Sequence, residues 1–93
     1  MSDVVDDTAG ERFVFTEDGH VAELVYHVHG NRLTLIHTEV PDELGGRGIG
    51  GRLVEAAIER ARRDQLTIVP NCPYARGWLE KHPDAVEGVT IDW

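Results

Sequence analysis

From Arg12 onward apolar and polar positions alternate with a period of two: Phe13 and Phe15 fall between Arg12, Val14 and Thr16, and the run stops at Glu17-Asp18-Gly19-His20. The alternation predicts a strand, and Asp-Gly at its end predicts a two-residue type I′ hairpin. A second strand follows over Val21 to His29, then Gly30-Asn31 as another tight turn, then a third strand from Arg32 to about Val40. Two-residue turns fix the register, setting Phe15 opposite Ala22, Phe13 opposite Leu24, Val28 opposite Leu33 and Tyr26 opposite Leu35. One face then holds Phe13, Phe15, Ala22, Leu24, Tyr26, Val28, Leu33 and Leu35. The other holds Val14, Val21, Val25, Thr34, Ile36, Thr38 and Val40, apolar enough to predict cover on both sides. A bulge in the third strand would exchange the faces beyond it.

Pro41 closes that strand, and behind a glycine-rich stretch the period becomes 3.6. Leu53, Ala56, Ala57 and Ala61, widened by Val54 and Ile58, form the buried stripe of a helix that ends near Asp64, with Arg52, Glu55, Glu59, Arg62 and Arg63 toward water. Leu66 to Val69 is a short apolar strand stopped by Pro70, expected to lie parallel to the third strand through a right-handed crossover. Pro73 suits the first position of a second helix, Tyr74 to Lys81, which ends before Pro83. Val89-Thr90-Ile91 is a further edge-strand candidate. The fold class is α/β: a three-stranded antiparallel meander, then strand, helix, strand, helix with one parallel pair.

Ninety-three residues make one domain, and a chain of this size buries roughly 60 to 65% of the surface its unfolded form exposes. Residues 1–10 are acidic and polar and are expected to form a flexible tail ahead of the domain at 11–93. No apolar run approaches the roughly 18 residues of a membrane span, so no membrane partner is expected. The acidic start is unlike a targeting segment, and the expected compartment is the cytoplasm. The one cysteine, Cys72, forms neither an internal disulfide nor a multi-cysteine zinc site. A net charge of −8, with 17 acidic against 9 basic residues, argues against nucleic acid and favours a cationic partner.

The candidate chemistry centres on Gly45-Gly46-Arg47-Gly48-Ile49-Gly50-Gly51-Arg52, directly ahead of the longest predicted helix. Glycine removes the Cβ that would block a ligand, and the helix start offers unpaired N–H groups with the positive end of the macrodipole behind them, which suits a phosphate. This loop leaves the C-terminal end of the third strand and Asn71-Cys72 that of the fourth, so both border the crevice where ligands bind in such sheets. A dinucleotide fold does not fit, because an antiparallel meander precedes the loop and no second βαβ half follows. A Walker A loop does not fit either, since Gly-Lys-Ser/Thr is absent. His37 and Glu39 lie two apart on one strand and share a face near the crevice. A metal site from His27, His29 and His37 lacks a fourth ligand, and no metal is expected.

Val40-Pro41 followed by Gly46-Arg47-Gly48-Ile49-Gly50 resembles the acetyl-CoA loop of the GCN5-related N-acetyltransferases, whose pattern is Arg/Gln-x-x-Gly-x-Gly/Ala between the fourth strand and the long helix. The likeness runs from about Phe13 to Pro83. More narrowly, His37-Thr38-Glu39-Val40, Pro70-Asn71-Cys72-Pro73-Tyr74, Trp78-Leu79 and His82-Pro83 resemble a very small single-domain subfamily that includes a human N-acetyltransferase domain-containing protein. Gly45 stands at the family's first Arg/Gln position, which implies either weaker cofactor binding or compensation by Arg47 or Arg52.

The resemblance implies a mixed sheet of that family with a splayed parallel pair, and transfer of acetyl from acetyl-CoA to an amine. Gly45, Gly46, Arg47, Gly48, Ile49, Gly50, Gly51 and Arg52 would grip the cofactor's pyrophosphate, with Thr38, Val40 and Asn71 on the rest of it. Cys72, at a helix N-terminus, is either a nucleophile that forms an acetyl-enzyme or a small buried thiol without a role. Tyr74 is an acid for the departing thiolate or a core residue, and His37 or Glu39 is a base for the incoming ammonium or structural. The acceptor is an unidentified amine, expected to be cationic: a polyamine, a lysine or a protein N-terminus. The resemblance also implies an open acceptor side and a monomer or weak homodimer. A CoA-binding sensor or interaction module without catalysis is the alternative.

Overall fold

Positive φ at both Asp18 and Gly19 builds the tight turn that joins β2 (Arg12–Glu17) to β3 (His20–His29). Gly30-Asn31 joins β3 to β4 (Arg32–Glu39) through a second two-residue turn. The register follows the predicted pairs: Phe15 opposite Ala22, Phe13 opposite Leu24, Val28 opposite Leu33 and Tyr26 opposite Leu35. The computed structural model describes residues 3–93. Among them, α1 (Ile49–Asp64) crosses over to β5 (Thr67–Pro70), parallel to β4, and α2 (Pro73–Lys81) follows. With β1 (Val5–Asp7) ahead of β2, the sheet order is sequential from β1 to β5.

One face of this sheet carries the core. Phe13, Phe15, Ala22, Leu24, Tyr26, Leu33, Leu35 and Ile68 pack against Leu53, Val54, Ala57, Ile58 and Ala61 of α1 and Ala75 and Leu79 of α2 in one continuous cluster. Each fully buried Leu or Phe contributes about 1.5–3 kcal/mol by leaving water. Cover on both faces was expected; instead both helices lie on this inner side. On the outer face Val14, Val25 and Thr34 are half-buried, while Val21 and Ile36 are exposed. The hairpin at Asp18-Gly19 leaves no chain between β2 and β3 to form a covering layer.

A β-bulge in β4 decides how the site is built. Tyr26 faces Leu35 but Val25 faces His37, so Ile36 is the extra residue. Because side chains alternate, one inserted residue exchanges the faces beyond it. Thr38 therefore lies opposite Leu24 on the inner side, and His37 and Glu39 lie opposite Val25 and Glu23 on the outer side. This reverses the assignment that strict alternation gives to Thr38.

The flexible tail expected over 1–10 is also corrected, as far as the described residues reach. β1 (Val5–Asp7) pairs antiparallel with β2, Val5 opposite Val14. Its acidity has a use: Asp6 accepts hydrogen bonds from the Tyr26 hydroxyl at 2.5 Å and from Arg60 Nη1 at 2.7 Å. Arg60 also donates to Asp64, an i,i+4 pair on α1. At the opposite edge Ile91 makes a parallel bridge to Ile68, the remnant of the expected edge strand. No helix among the described residues is long and apolar enough to cross a membrane.

Candidate active site

β4 and β5 stay paired only as far as Leu35 and Pro70. The next contact is the Cys72 N–H, which donates to the Leu35 carbonyl at 2.9 Å, and after it β4 runs on to Glu39 without a partner on that edge. The strands part because Pro70 ends β5 and Cys72 turns the chain into α2, with Pro73 at its first position. Across the opening Thr38 Oγ1 lies 3.2 Å from Cys72 Sγ, a contact that exists because the bulge turned Thr38 inward. Cys72 is buried.

The glycine loop borders the same opening. A single turn of 3-10 helix, Asp42–Leu44, buries Leu44 as an anchor, and the Gly45 N–H donates to the Asp42 carbonyl at 3.0 Å. Gly46 and Gly48 have φ of 76° and 70°, in the left-handed region, with open space where a side chain would stand. α1 then starts at Ile49 with no side-chain cap and no acidic residue in its first turn. Its first intrahelical bond runs from Arg52 N–H to Gly48 O, so the N–H groups of Ile49, Gly50 and Gly51 are not used within the helix. Thr38, Val40, Gly46, Gly48, Gly50 and Tyr74 surround a cavity of about 390 Å³ at this helix start, together with Asp42, Leu44, Gly45 and Ile49.

The remaining predicted site residues lie elsewhere. Arg47 is exposed and ion-paired with Glu17. Arg52 donates to Asp3 at 2.6 Å and lies over the Phe15 ring, 5.1 Å from its centroid. Neither arginine lines the cavity, so compensation, one of the two outcomes implied for Gly45, is absent from its walls, whose one charged side chain among the described residues is Asp42. Gly51 serves helix packing: a Cβ there would stand 2.6 Å from Trp78 Nε1, and Trp78 stacks in turn on His82 at 3.9 Å. Asn71 is exposed and outside the cavity. His37 and Glu39 approach within 3.4 Å of each other on the exposed outer face, beside the opening but on the far side of the sheet from the cavity.

Tyr74 reaches over α1, and a Cβ at Gly50 would stand 2.6 Å from its hydroxyl. Burial, and secondarily the nearby Cys72, push the phenol above its ordinary value, so it stays protonated and is a proton donor at neutral pH. Asp42 and Leu44 were missed as lining residues; Pro41 ahead of Asp-Glu was the available signal for a turn there. No group of three or more His, Cys, Asp or Glu among the described residues is arranged to hold a metal ion.

A sheet opened between two parallel strands, with a glycine-started helix at its mouth, invites comparison with known proteins. The profile of the GCN5-related N-acetyl-transferase family matches residues 12–89. This chain belongs to that family. Protein NATD1 of Homo sapiens is 36% identical over 63 residues, covering 67% of this chain and 56% of that protein. Protein NATD1 of Gallus gallus is likewise 36% identical, over 57% of its length, so the matched stretch spans little more than half of these curated relatives. The solution structure of a GCN5-like protein from Staphylococcus aureus superposes with a TM-score of 0.74 at 34% identity, covering 100% of this chain and 93% of that one.

Proposed function

We propose that this protein transfers an acetyl group from acetyl-CoA to an amine by way of Cys72. The observation that carries the reading is the continuity from the bare helix start, through the cavity, to a threonine hydroxyl in contact with the one thiol of the chain. The residues present fit the cofactor. Open space at Gly46 and Gly48 and three N–H groups at the start of α1 suit a pyrophosphate, and the unpaired edge of β4 around Thr38 suits an amide-bearing arm. The bound thioester supplies an activated acetyl group.

The Cys72 thiol gives up its proton to solvent, and its sulfur forms a bond to the acetyl carbon while the carbon–sulfur bond of CoA breaks. Tyr74 gives its proton to the leaving sulfur and recovers one from solvent through its exposed edge. Thr38 orients the thiol. A neutral amine then attacks the acetyl-cysteine carbonyl, the carbon–nitrogen bond forms, and the bond to Cys72 breaks. The extra proton on nitrogen passes to His37 or Glu39, and Cys72 is regenerated. The chain's acidity suits a cationic acceptor such as a polyamine, a lysine or a protein N-terminus.

A second reading, CoA binding without transfer, draws support from the burial of Cys72 and from a cavity wall without a cation. Intact-mass measurement after incubation with acetyl-CoA separates the two. One added acetyl group, lost in Cys72→Ala, supports transfer. Cofactor binding with no acetylation of the protein, polyamines or lysine peptides sinks it, and absence of CoA binding removes both.

A further inference from the structure

Trp78 and His82 lie outside the cavity, yet Trp78 belongs to the helix that carries Tyr74 and His82 caps its end. Tyr74 and Trp78, at i and i+4, form one row along α2, beside the row of Ala75 and Leu79 that holds the helix on the core. Their row meets the first turn of α1 at two consecutive glycines. A Cβ at Gly50 would stand 2.6 Å from the Tyr74 hydroxyl, and one at Gly51 would stand 2.6 Å from Trp78 Nε1. Any larger residue would take the room of one contact or the other, so the glycines form a notch into which α2 settles. Trp78 is half-buried, and the His82 ring stacks on it with centroids 3.9 Å apart and planes 14° from parallel. His82 is brought there by the end of the helix. Its N–H donates to the Leu79 carbonyl at 3.3 Å, its Nδ1 donates to the Trp78 carbonyl at 2.8 Å, and Pro83 prevents another turn. At the other end of α2 the Cys72 N–H is held by the Leu35 carbonyl at 2.9 Å.

We infer that Trp78, clamped between Gly51 and the His82 ring, is a positioning residue for Tyr74: it fixes the roll of α2 so that the phenol stands over Gly50 in the wall of the cavity. The consequence for rate rests on Tyr74 as the proton donor of the transfer reading, whereas the placement itself does not. A proton donor acts only when it is aligned with the leaving sulfur as the carbon–sulfur bond breaks, and a misplacement of about 1 Å costs on the order of a hundredfold. A stack outside the cavity therefore bears on a step inside it.

His82 is exposed, so its replacement leaves the core intact, unlike removal of the Trp78 indole. Nuclear Overhauser effects between the Tyr74 ring and the Gly50 α-protons report the placement in the full chain without acetyl-CoA. They should be present in the wild type, weaken about twofold or more in His82→Ala and return in His82→Phe, which keeps a stacking ring but has no ring nitrogen. The rate of Cys72 acetylation, followed by intact mass, should fall about tenfold in His82→Ala, recover in His82→Phe and fall about a hundredfold in Tyr74→Phe. Adding His82→Ala to Tyr74→Phe should slow it no further, because the stack acts through the phenol. Additive losses would overturn the proposal, since a stack that only stabilised the fold would act with or without the hydroxyl. Unchanged Overhauser effects in His82→Ala would overturn it too, as would failure of His82→Phe to restore them. A Tyr74→Phe protein as fast as the wild type, or a wild type that is not acetylated, would remove the proton-donor role alone, and the Overhauser effects would still decide the placement.

Discussion

Thr38 Oγ1 lies 3.2 Å from Cys72 Sγ across the opening between β4 and β5. The pair is separated by 34 positions in the chain and is joined by two local events, the bulge at Ile36 that turns Thr38 inward and the turn after Pro70 that brings Cys72 back to the Leu35 carbonyl. Without the extra residue, His37 and Glu39 would face the cavity and the thiol would have lost this neighbour.

Thr38→Val tests that relationship while keeping the side-chain shape. One neutral hydrogen bond contributes about 1 kcal/mol, so acetylation of Cys72, followed as an intact-mass time course, should slow about fivefold with unfolding stability changed by no more than about 1 kcal/mol. An unchanged rate would show that Thr38 does not orient the thiol.

Three glycines of the two helices should respond in different ways to the same methyl group. Gly51→Ala places a Cβ 2.6 Å from Trp78 Nε1, and the indole is held by its stack on His82. Overpacking of about 1–3 kcal/mol then exceeds the roughly 1 kcal/mol that alanine adds as a helix former, so thermal stability should fall. Gly50→Ala meets the outer end of the exposed Tyr74 ring, which can swing aside, so it should cost less stability and act chiefly on CoA affinity. Gly77, in α2, has nothing within 4 Å of the new methyl, and Gly77→Ala should stabilise by about 0.4–1 kcal/mol. Equal effects at all three would contradict this packing. Thermal and urea unfolding read each case.

Much of this fold was legible in the sequence, because period-two alternation bounded by Asp-Gly and Gly-Asn fixes both pairing and register. The two helices and the parallel strand were legible too, since the switch to a 3.6 period and the positions of Pro70, Pro73 and Pro83 mark their limits. The bulge was not, because Ile36 sits among ordinary strand residues with no glycine or proline beside it, and the faces of Thr38, His37 and Glu39 went with it. Gly51 read as part of an anion cradle because composition cannot distinguish a glycine that admits a ligand from one that admits an indole. β1 was hidden for a third reason: its anchor is the contact of Asp6 with Tyr26 and Arg60, which are distant in sequence.

That anchor makes stability depend on alkaline pH. Burial first, and the hydrogen bond to Asp6 second, push the Tyr26 phenol above its ordinary value. The folded protein therefore keeps a proton that the unfolded chain releases near pH 10, so the stabilisation is complete below about pH 10 and is lost as pH rises through the folded value. Tyr26→Phe should cost about 1–3 kcal/mol at neutral pH, by taking one partner from both Asp6 and Arg60, and should flatten the alkaline limb of the stability curve. Urea midpoints between pH 7 and about 11 test it; parallel curves for the two proteins would show that Tyr26 does not carry the dependence.

Gly45 offers the sharpest test of the cavity as a pyrophosphate site. Its φ of −66° and ψ of 154° suit any residue, so glycine is not demanded by the backbone. A Cβ would stand 3.2 Å from the Asp42 carbonyl oxygen, a contact relieved by a few tenths of an ångström of movement in an exposed turn. Arg47 and Arg52 are held by Glu17 and Asp3, so an arginine introduced here adds a cation to walls that have none and offsets Asp42. A charge-assisted hydrogen bond contributes about 1.5–3 kcal/mol, and Gly45→Arg should therefore tighten CoA binding at least tenfold, with the gain shrinking as salt is raised. Titration calorimetry with CoA and with dephospho-CoA reads the effect. Unchanged affinity for both would mean that the anionic end of the cofactor does not lie against this loop.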